Sequence, residues 1–432
     1  MSFTKKILDI AEKVRPVIVK VVPQSVLSRM KAKVIHSGAK DIESIKFEPF
    51  SKDEFPVGVN LIGDIRVDTG LGQSMRYVSN VLEHSDYNHL IYNYYVPPGY
   101  NMTDHSCDKW ISDKIKYGIN IFHINASEMP VGFMALGREF WDKHYNIGFW
   151  LWEMQEFPEE WMPSFNLVDE LWVPSDYIAD CLRKYTDKPI ITMPYPVVAP
   201  YEESCDRDFF NLPKDKFMFL MMYDGGSGMA RKNPLAVIES FKMAFGPERD
   251  DVCLVIKLKE NSDKDIAYIK ENMKGYGNVY FVDKNLSRTE VNSLMKIADV
   301  YVSLHRAEGF GLTCAESMVL GTPVIATNYS SNVEFMTDVS VRKTNDLDEN
   351  SLACLVDYKL IPLETDIPPY KRGYMWADAD VKQASTFMRR LVDDKELYDI
   401  MKDNAFRFIN TKLSMDKVKD IMNKRISEIM ES

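Results

Sequence analysis

From residue 55 onward, short apolar runs alternate with amphipathic stretches, the pattern of strands and helices in turn. FPVGVNLIG (55–63) reads as a strand and 70–84 as a helix. HLIYNYYV (89–96), INIFHIN (119–125), YNIGFWLW (145–152) and ELWVPS (170–175) read as further strands. SDYIADCLRKY (175–185) predicts a helix capped by Ser175 or Asp176, whose side-chain oxygens can accept from the first free amides. A short strand in PIITMPYPV follows. Near-continuous apolar strands spaced by helices predict a parallel sheet covered on both faces.

The pattern breaks over 196–216, which holds three prolines and a charge cluster, and then restarts. Strands are predicted at 217–224, 252–258, 279–283, 300–304 and 323–327. Helices are predicted at 234–245, 263–273, 287–297 and 312–320, and the last stretch, 380–431, is helical by pattern. The fold class is therefore α/β, with two Rossmann-like, doubly wound domains at 51–205 and 206–395 and C-terminal helices at 396–432. Ligands of such sheets bind outside the carboxyl ends of the strands, here in a cleft between two sheets. That geometry serves many functions and selects none.

Residues 1–50 stand apart. Over 1–33, eight basic residues face two acidic ones, and Phe3, Ile7, Ile10, Ala11 and Val14 share a helical face. Such a basic amphipathic start can lie on an anionic membrane surface, pack on the domain, or form a tail. Lys5, Lys6, Lys13, Arg15 and Lys20 leave no continuous apolar h-region in the first 25 residues and no apolar run is long enough to span a bilayer, so a cytoplasmic location, with the inner face of the membrane as the alternative, is the expectation.

The whole chain carries a net charge of -11, which argues against non-specific nucleic-acid binding. Its six scattered cysteines form no C-x-x-C pair and read as buried free thiols. Two D-x-D matches, at Asp263–Asp265 and Asp378–Asp380, fall in charged helical or loop contexts, so no metal site is predicted.

LHRAEGFGLTCAESMVLGTPVIAT (304–327) carries the most chemistry. A strand ends near Leu304, a glycine loop follows, and a short helix stops at Gly321 before Pro323. Gly309 and Gly311 let backbone approach a ligand closely. The amides of Phe310, Gly311, Leu312 and Thr313 are free donors at a helix start, suited to a diphosphate. Glu316, one turn in, can accept from a vicinal diol such as a ribose, and Glu308 from sugar hydroxyls on the other side. Two carboxylates beside a phosphate site make sense when one ligand bears both a ribose and a hexose.

This stretch resembles the signature of glycosyltransferase family 4, a retaining family with the GT-B double-Rossmann fold. The resemblance spans roughly 55–400 and is strongest over 215–340. Within it, FMFLMMYDGGSGMARKNPLAVIESF (217–241) is similar to the family's strand–loop–helix that supplies cations to the donor phosphates, in a subgroup whose loop ends R-K-N-P. The resemblance makes Lys232 the holder of the departing phosphate, with Arg231 beside it. Where the commoner pattern has an arginine about five residues earlier, this chain has Gly226 and Ser227, so either Arg231 substitutes or Ser227 donates a hydrogen bond.

Gly70 and Gly72, in GDIRVDTGLGQSMRYV (63–78), resemble the family's glycine loop facing diphosphate and acceptor; a tight turn alone is the other reading. His123 resembles a histidine placed near the sugar, or else is a core residue. Asn125 and Glu128 are its neighbours, and Glu153 is a further candidate acceptor contact. Trp150 and Trp152 form either an acceptor surface or core. The loop from Val282 to Leu286 resembles the site where the base is read, while Ser287 and Glu290 form a capping box.

The resemblance implies a retaining transfer of a hexose from a nucleoside-diphosphate sugar to a glycan or lipid-linked acceptor, in cell-surface polysaccharide synthesis. It implies no cofactor and no metal, because cations and a helix N-terminus can stabilise the diphosphate. A nucleotide-sugar epimerase of the same fold and a non-catalytic binding or scaffold protein are the alternatives.

Overall fold

The computed structural model describes residues 42, 45–94, 102–225, 228–259, 263–340 and 347–431. The basic segment 1–33 and Ser227 lie outside the described residues.

The first sheet holds β1 (Val59–Gly63), β2 (His89–Asn93), β3 (Ile119–His123), β4 (Tyr145–Phe149), β5 (Glu170–Val173) and β6 (Ile190–Thr192). All pairs are parallel and the order is β2-β1-β3-β4-β5-β6. Helices α1 (Gly70–His84), α2 (Met129–Leu136) and α3 (Asp176–Leu182) follow β1, β3 and β5. β1 and β3 are buried along their whole length, the asparagines Asn60 and Asn120 included. Their register is marked by a buried amide ladder. Asn60 Nδ2 donates to Asn120 Oδ1 (2.8 Å), and Asn120 Nδ2 to Asn146 Oδ1 (3.0 Å). A one-residue slip would leave these buried groups unpaired.

The second sheet holds β7 (Phe217–Asp224), β8 (Val252–Lys259), β9 (Val279–Val282), β10 (Val300–Ser303), β11 (Val324–Thr327) and β12 (Cys354–Val356), in the order β12-β11-β10-β7-β8-β9. Its helices are α4 (Met229–Lys232), α5 (Pro234–Ala244), α6 (Asp263–Asn272), α7 (Arg288–Ile297), α8 (Leu312–Val319) and α9 (Val333–Met336). An antiparallel hairpin, β13 (Tyr358–Pro362) and β14 (Met375–Ala379), which the hydrophobic pattern does not predict, precedes the last three helices. These are α10 (Val381–Asp393), α11 (Lys395–Lys412) and α12 (Met415–Glu431). They divide between the two units: α10 packs on α5, α11 on α8, and α12 crosses back onto α1. The expected fold class is what the chain has, two parallel-sheet Rossmann-like domains with C-terminal helices.

Strand order decides where ligands can sit. In the first sheet the order reverses between β1 and β3; in the second, between β7 and β10. Chains leaving the two strands at a reversal part to opposite faces and open a crevice. The carboxyl ends of these four strands lead to Gly70 and Gly72 at the start of α1, to the segment from His123, to Arg231–Lys232 on α4, and to Glu308–Gly311 ahead of α8.

Candidate active site

In the second domain, the chain leaves β7, makes the single turn of α4 and re-enters helix at Pro234. Asn233 joins the two turns in the left-handed region (φ 51°), which asparagine tolerates better than most residues. Pro234 then opens α5, where no amide is needed. This turn holds the side chain of Lys232 against Glu308 Oε1, which arrives from the loop after β10. Arg231 Nη1 lies 3.3 Å from the same oxygen and donates to Ala307 O (2.9 Å). Its Nη2 lies 4.0 Å from Glu153 of the first domain. Arg231 thus spans the cleft, engaged by protein acceptors. Glu308 is 9% exposed. Burial alone would raise its carboxyl, but Lys232, Arg231 and His305 outweigh that and hold it at about 2. Glu308 is an anion at any working pH.

Behind Glu308, its amide donates to Ser330 Oγ (3.0 Å), and Ser330 itself sits at φ 74°. His305, fully buried, bridges Ser303 Oγ (3.0 Å) and Asn332 Oδ1 (3.0 Å); burial keeps its pKa low. Gly311 caps α8 at φ 91°, and a Cβ there would lie 3.1 Å from that of Asn332. Among the described residues, none accepts a hydrogen bond from the amides of Phe310, Gly311, Leu312 or Thr313. These donors point out of a helix start, as a phosphate site requires. The Phe310 ring packs edge-on to Tyr195 of the first domain (4.8 Å), and the Thr313 hydroxyl accepts from Tyr301 (2.9 Å). Gly309 lies against the backbone of Trp152: a Cβ would come within 3.1 Å of its carbonyl oxygen.

In the first domain, Thr69 caps α1 by accepting from Gly72 N (3.3 Å). Gly72 is required by space, since a Cβ would meet Val67 O at 2.1 Å, whereas Gly70 has nothing within 4 Å. Arg76 on α1 ties the loop down through Ile65 O (2.9 Å) and Val67 O (3.0 Å). Asp64, at the exit of β1, has a buried Oδ1 without a partner, and burial raises its pKa. His123 is 2% exposed, with Nε2 2.7 Å from Ser74 Oγ, which donates to Tyr195 Oη (2.5 Å). Its ring stacks on Phe149 (5.0 Å). Burial pulls its pKa to about 3, so the ring is neutral, and Nδ1 is buried without a partner.

The structure therefore brings together Lys232, Arg231, Glu308 and the free amides on one side, and couples His123 to Phe310 through Phe149 and Tyr195. Glu316 is fully buried on α8 and faces Arg288 and Tyr77. Val282 ends β9 with its side chain in the core, leaving only its backbone to face a ligand. Trp150 and Trp152 are buried, which settles them as core rather than acceptor surface. Asn125 holds a turn by accepting from Leu151 N (2.9 Å), and Glu128 precedes α2. Sequence reasoning missed Tyr77, Arg288, Asp64, Ser74 and Tyr195. Tyr77 lies on the apolar face of α1 and reads as core; Arg288 lies inside the capping-box sequence and reads as solvent-facing.

Among the described residues no three His, Cys, Asp or Glu side chains gather, and no helix is long and apolar enough to cross a membrane. Asp378 pairs with Arg306 (3.1 Å) and Asp380 caps α10 (3.0 Å), structural uses for one D-x-D match.

Comparisons with known proteins bear on the fold. Residues 205–345 match the sequence model of the family described as "Glycosyl transferases group 1", a domain that contains Lys232, Glu308 and Glu316. Comparison with curated proteins gives no match. Among solved structures, a glycosyltransferase from Rickettsia africae ESF-5 superposes with a TM-score of 0.61 at 12% identity, over 88% of this chain and 100% of that one. HepE of Anabaena in complex with UDP and glucose gives 0.59 at 10% identity, over 87% and 100%. Sucrose-phosphate synthase from Thermosynechococcus elongatus gives 0.60 at 13%, over 87% and 100%. Likeness at such identity establishes the shared GT-B fold.

Proposed function

We propose that the chain is a retaining glycosyltransferase that moves a hexose from a nucleoside-diphosphate sugar to a glycan or lipid-linked acceptor, in cell-surface polysaccharide synthesis. One observation carries this reading. At a single strand-order reversal, a cation (Lys232), a carboxylate (Glu308), the four free amides of 310–313 at the start of α8 and a buried carboxylate one turn on (Glu316) occur together. A nucleoside-diphosphate sugar offers hydroxyls, a diphosphate and a ribose in that sequence. The group 1 domain at 205–345 and the solved complexes of the same fold with UDP support the assignment.

In this reading residues 206–395 bind the donor and 51–205 present the acceptor. Glu308, held ionised, orients hexose hydroxyls. Lys232 and the amides of 310–313 stabilise the diphosphate as its bond to the anomeric carbon breaks, when its negative charge grows. The acceptor oxygen bonds that carbon from the same face, and its proton passes to the leaving phosphate. Neutral His123 and its Ser74 partner line the sugar end. Closure of the two domains excludes water, which limits hydrolysis. Residues 1–33 supply contact with the inner membrane face.

The test pairs UDP-, GDP- and dTDP-hexoses with and without glycan acceptors. Transfer should require acceptor, and Lys232→Ala should lower kcat by about 100-fold or more in protein that still folds, with a lower melting temperature because buried Glu308 loses one of its two cations. Rearranged donor without acceptor would make the protein an epimerase; full activity in the Lys232 variant would remove this mechanism.

A further inference from the structure

Glu316 is a fully buried carboxylate with an uneven set of partners. Oε1 takes one hydrogen bond and one ion pair. Tyr77 Oη, on α1 of the first domain, donates to it at 3.0 Å, and the Arg288 guanidinium of the second domain pairs with it. Oε2 is buried and has no partner. A buried carboxylate oxygen left unpaired costs free energy, and such groups are rare unless something else supplies the hydrogen bond.

Local structure does not account for the contact of either residue with Glu316. Arg288 is the first residue of α7, where the helix's free amides disfavour a cation. Tyr77 is buried on the apolar face of α1, and its hydroxyl is shared between Glu316 Oε1 across the cleft and Val198 O (3.1 Å) of its own domain. Burial, and then the charge of Glu316, raise the phenol's pKa, so it remains a donor at any working pH. Burial lowers and Glu316 raises the pKa of Arg288, with a net rise. The other charged groups that act on Arg288 and on its neighbour Arg76 are Asp68 and Asp104, on the first domain's side.

We infer that Tyr77 and Arg288 are positioning residues for the nucleotide end of the site: by holding Oε1 from opposite domains, they turn Oε2 toward a ribose hydroxyl of the donor. The inference rests on the reading of Glu316 as the ribose acceptor. It adds that the grip on the ribose includes a part from the acceptor domain, so nucleotide binding favours the closed arrangement, in which Tyr77 reaches Glu316. Neither residue is catalytic, since each acts through Glu316.

The experiment uses the full chain, with UDP and GDP and their 2′-deoxy and 3′-deoxy forms, titrated calorimetrically against wild type, Tyr77→Phe, Arg288→Gln and Glu316→Gln. A hydrogen bond to a buried charge corresponds to about tenfold in Kd. Wild type should lose about tenfold on removal of the ribose hydroxyl that Oε2 holds. In Tyr77→Phe, Kd for the ribonucleotide should rise about tenfold, and the deoxy penalty should shrink to about twofold, because the two contacts are coupled. The transfer reaction should show a raised KM with little change in kcat. A purely structural role would not move the deoxy penalty.

Equal affinity in wild type and Tyr77→Phe, or an undiminished deoxy penalty, overturns the inference. Should Tyr77→Phe fail to fold, Arg288→Gln, at a partly exposed helix start, gives the same readings. The two levels fail differently. If Glu316→Gln weakens nucleotide binding and the other two variants do not, positioning falls and the ribose reading stands. If Glu316→Gln binds like wild type, or no nucleotide binds wild type, both fall.

Discussion

His123 and Glu308 are both buried, and each is kept in one charge state by a different means. His123 has no counter-charge; burial alone pulls its pKa to about 3. Glu308 overcomes burial through Lys232 and Arg231 and titrates at about 2. The consequences for stability have the same sign in separate pH windows. An unfolded histidine takes a proton near pH 6.5, so the buried neutral form contributes fully above that and is lost as pH falls toward about 3. His89, held by burial at about 4, behaves alike. For Glu308 the loss begins only below its unfolded value of 4.5 and runs toward about 2. Acid sensitivity should therefore set in near pH 6.5. His123→Asn should remove about one proton from the slope of unfolding free energy between pH 6 and 5, roughly 1.4 kcal/mol per pH unit. Urea titrations at those pH values check this, and an unchanged slope would refute it.

At the scale of elements, the two glycines of the first loop should separate cleanly. Gly72→Ala places a Cβ 2.1 Å from Val67 O, a backbone atom anchored by Arg76, so the loop must open. We expect a loss of about 2–4 kcal/mol, read as a lower melting temperature. Gly70→Ala meets nothing within 4 Å and replaces a weak helix former at the start of α1. Its stability should hold or rise, and any effect should appear in the donor or acceptor KM alone. A comparable destabilisation in both variants would show that space at Gly72 is not the constraint.

Most elements were legible because burial and period coincide: the helix predicted at 70–84 and the strand at 217–224 match the structure residue for residue. Predicted strands overran where apolar residues continue for another reason. YNIGFWLW (145–152) outlasts β4, which ends at Phe149, because Trp150 and Trp152 are buried in the packing beyond the strand. Met129–Leu136 escaped notice because it is apolar throughout and has no polar face to set a helical period.

On the scale of the whole molecule, α12 returns to the first domain and is clasped there. Glu170 on β5 is fully buried and receives Arg425, Tyr145 (3.0 Å) and Trp172 (2.7 Å). Removing Arg425 leaves that carboxylate without its cation. Arg425→Ala should lower stability by about 3 kcal/mol in urea. Adding Glu170→Gln should recover part of the loss, since a neutral amide is easier to bury; no loss in the single variant would show the clasp to be idle. The domains also meet where Glu334 accepts from the amides of Asp176 (3.0 Å) and Tyr177 (2.8 Å), capping α3 from the opposite unit.

The sequence by itself determined the two α/β units, and it marked Lys232, Glu308, the 310–313 amides and Glu316 as candidates for the donor side. The units follow from strand and helix period, and the 308–316 group from a glycine loop at a helix start with a carboxylate on either side, whereas Lys232 was marked by the family resemblance of its R-K-N-P loop. Only the tertiary structure decided what faces them. Strand order placed four separate loops at two crevices, and closure set Tyr77 on Glu316 and Glu153 near Arg231 across 239 and 78 residues of chain. Contacts between residues so distant in sequence leave no period or spacing to read, because they depend on how two finished domains pack.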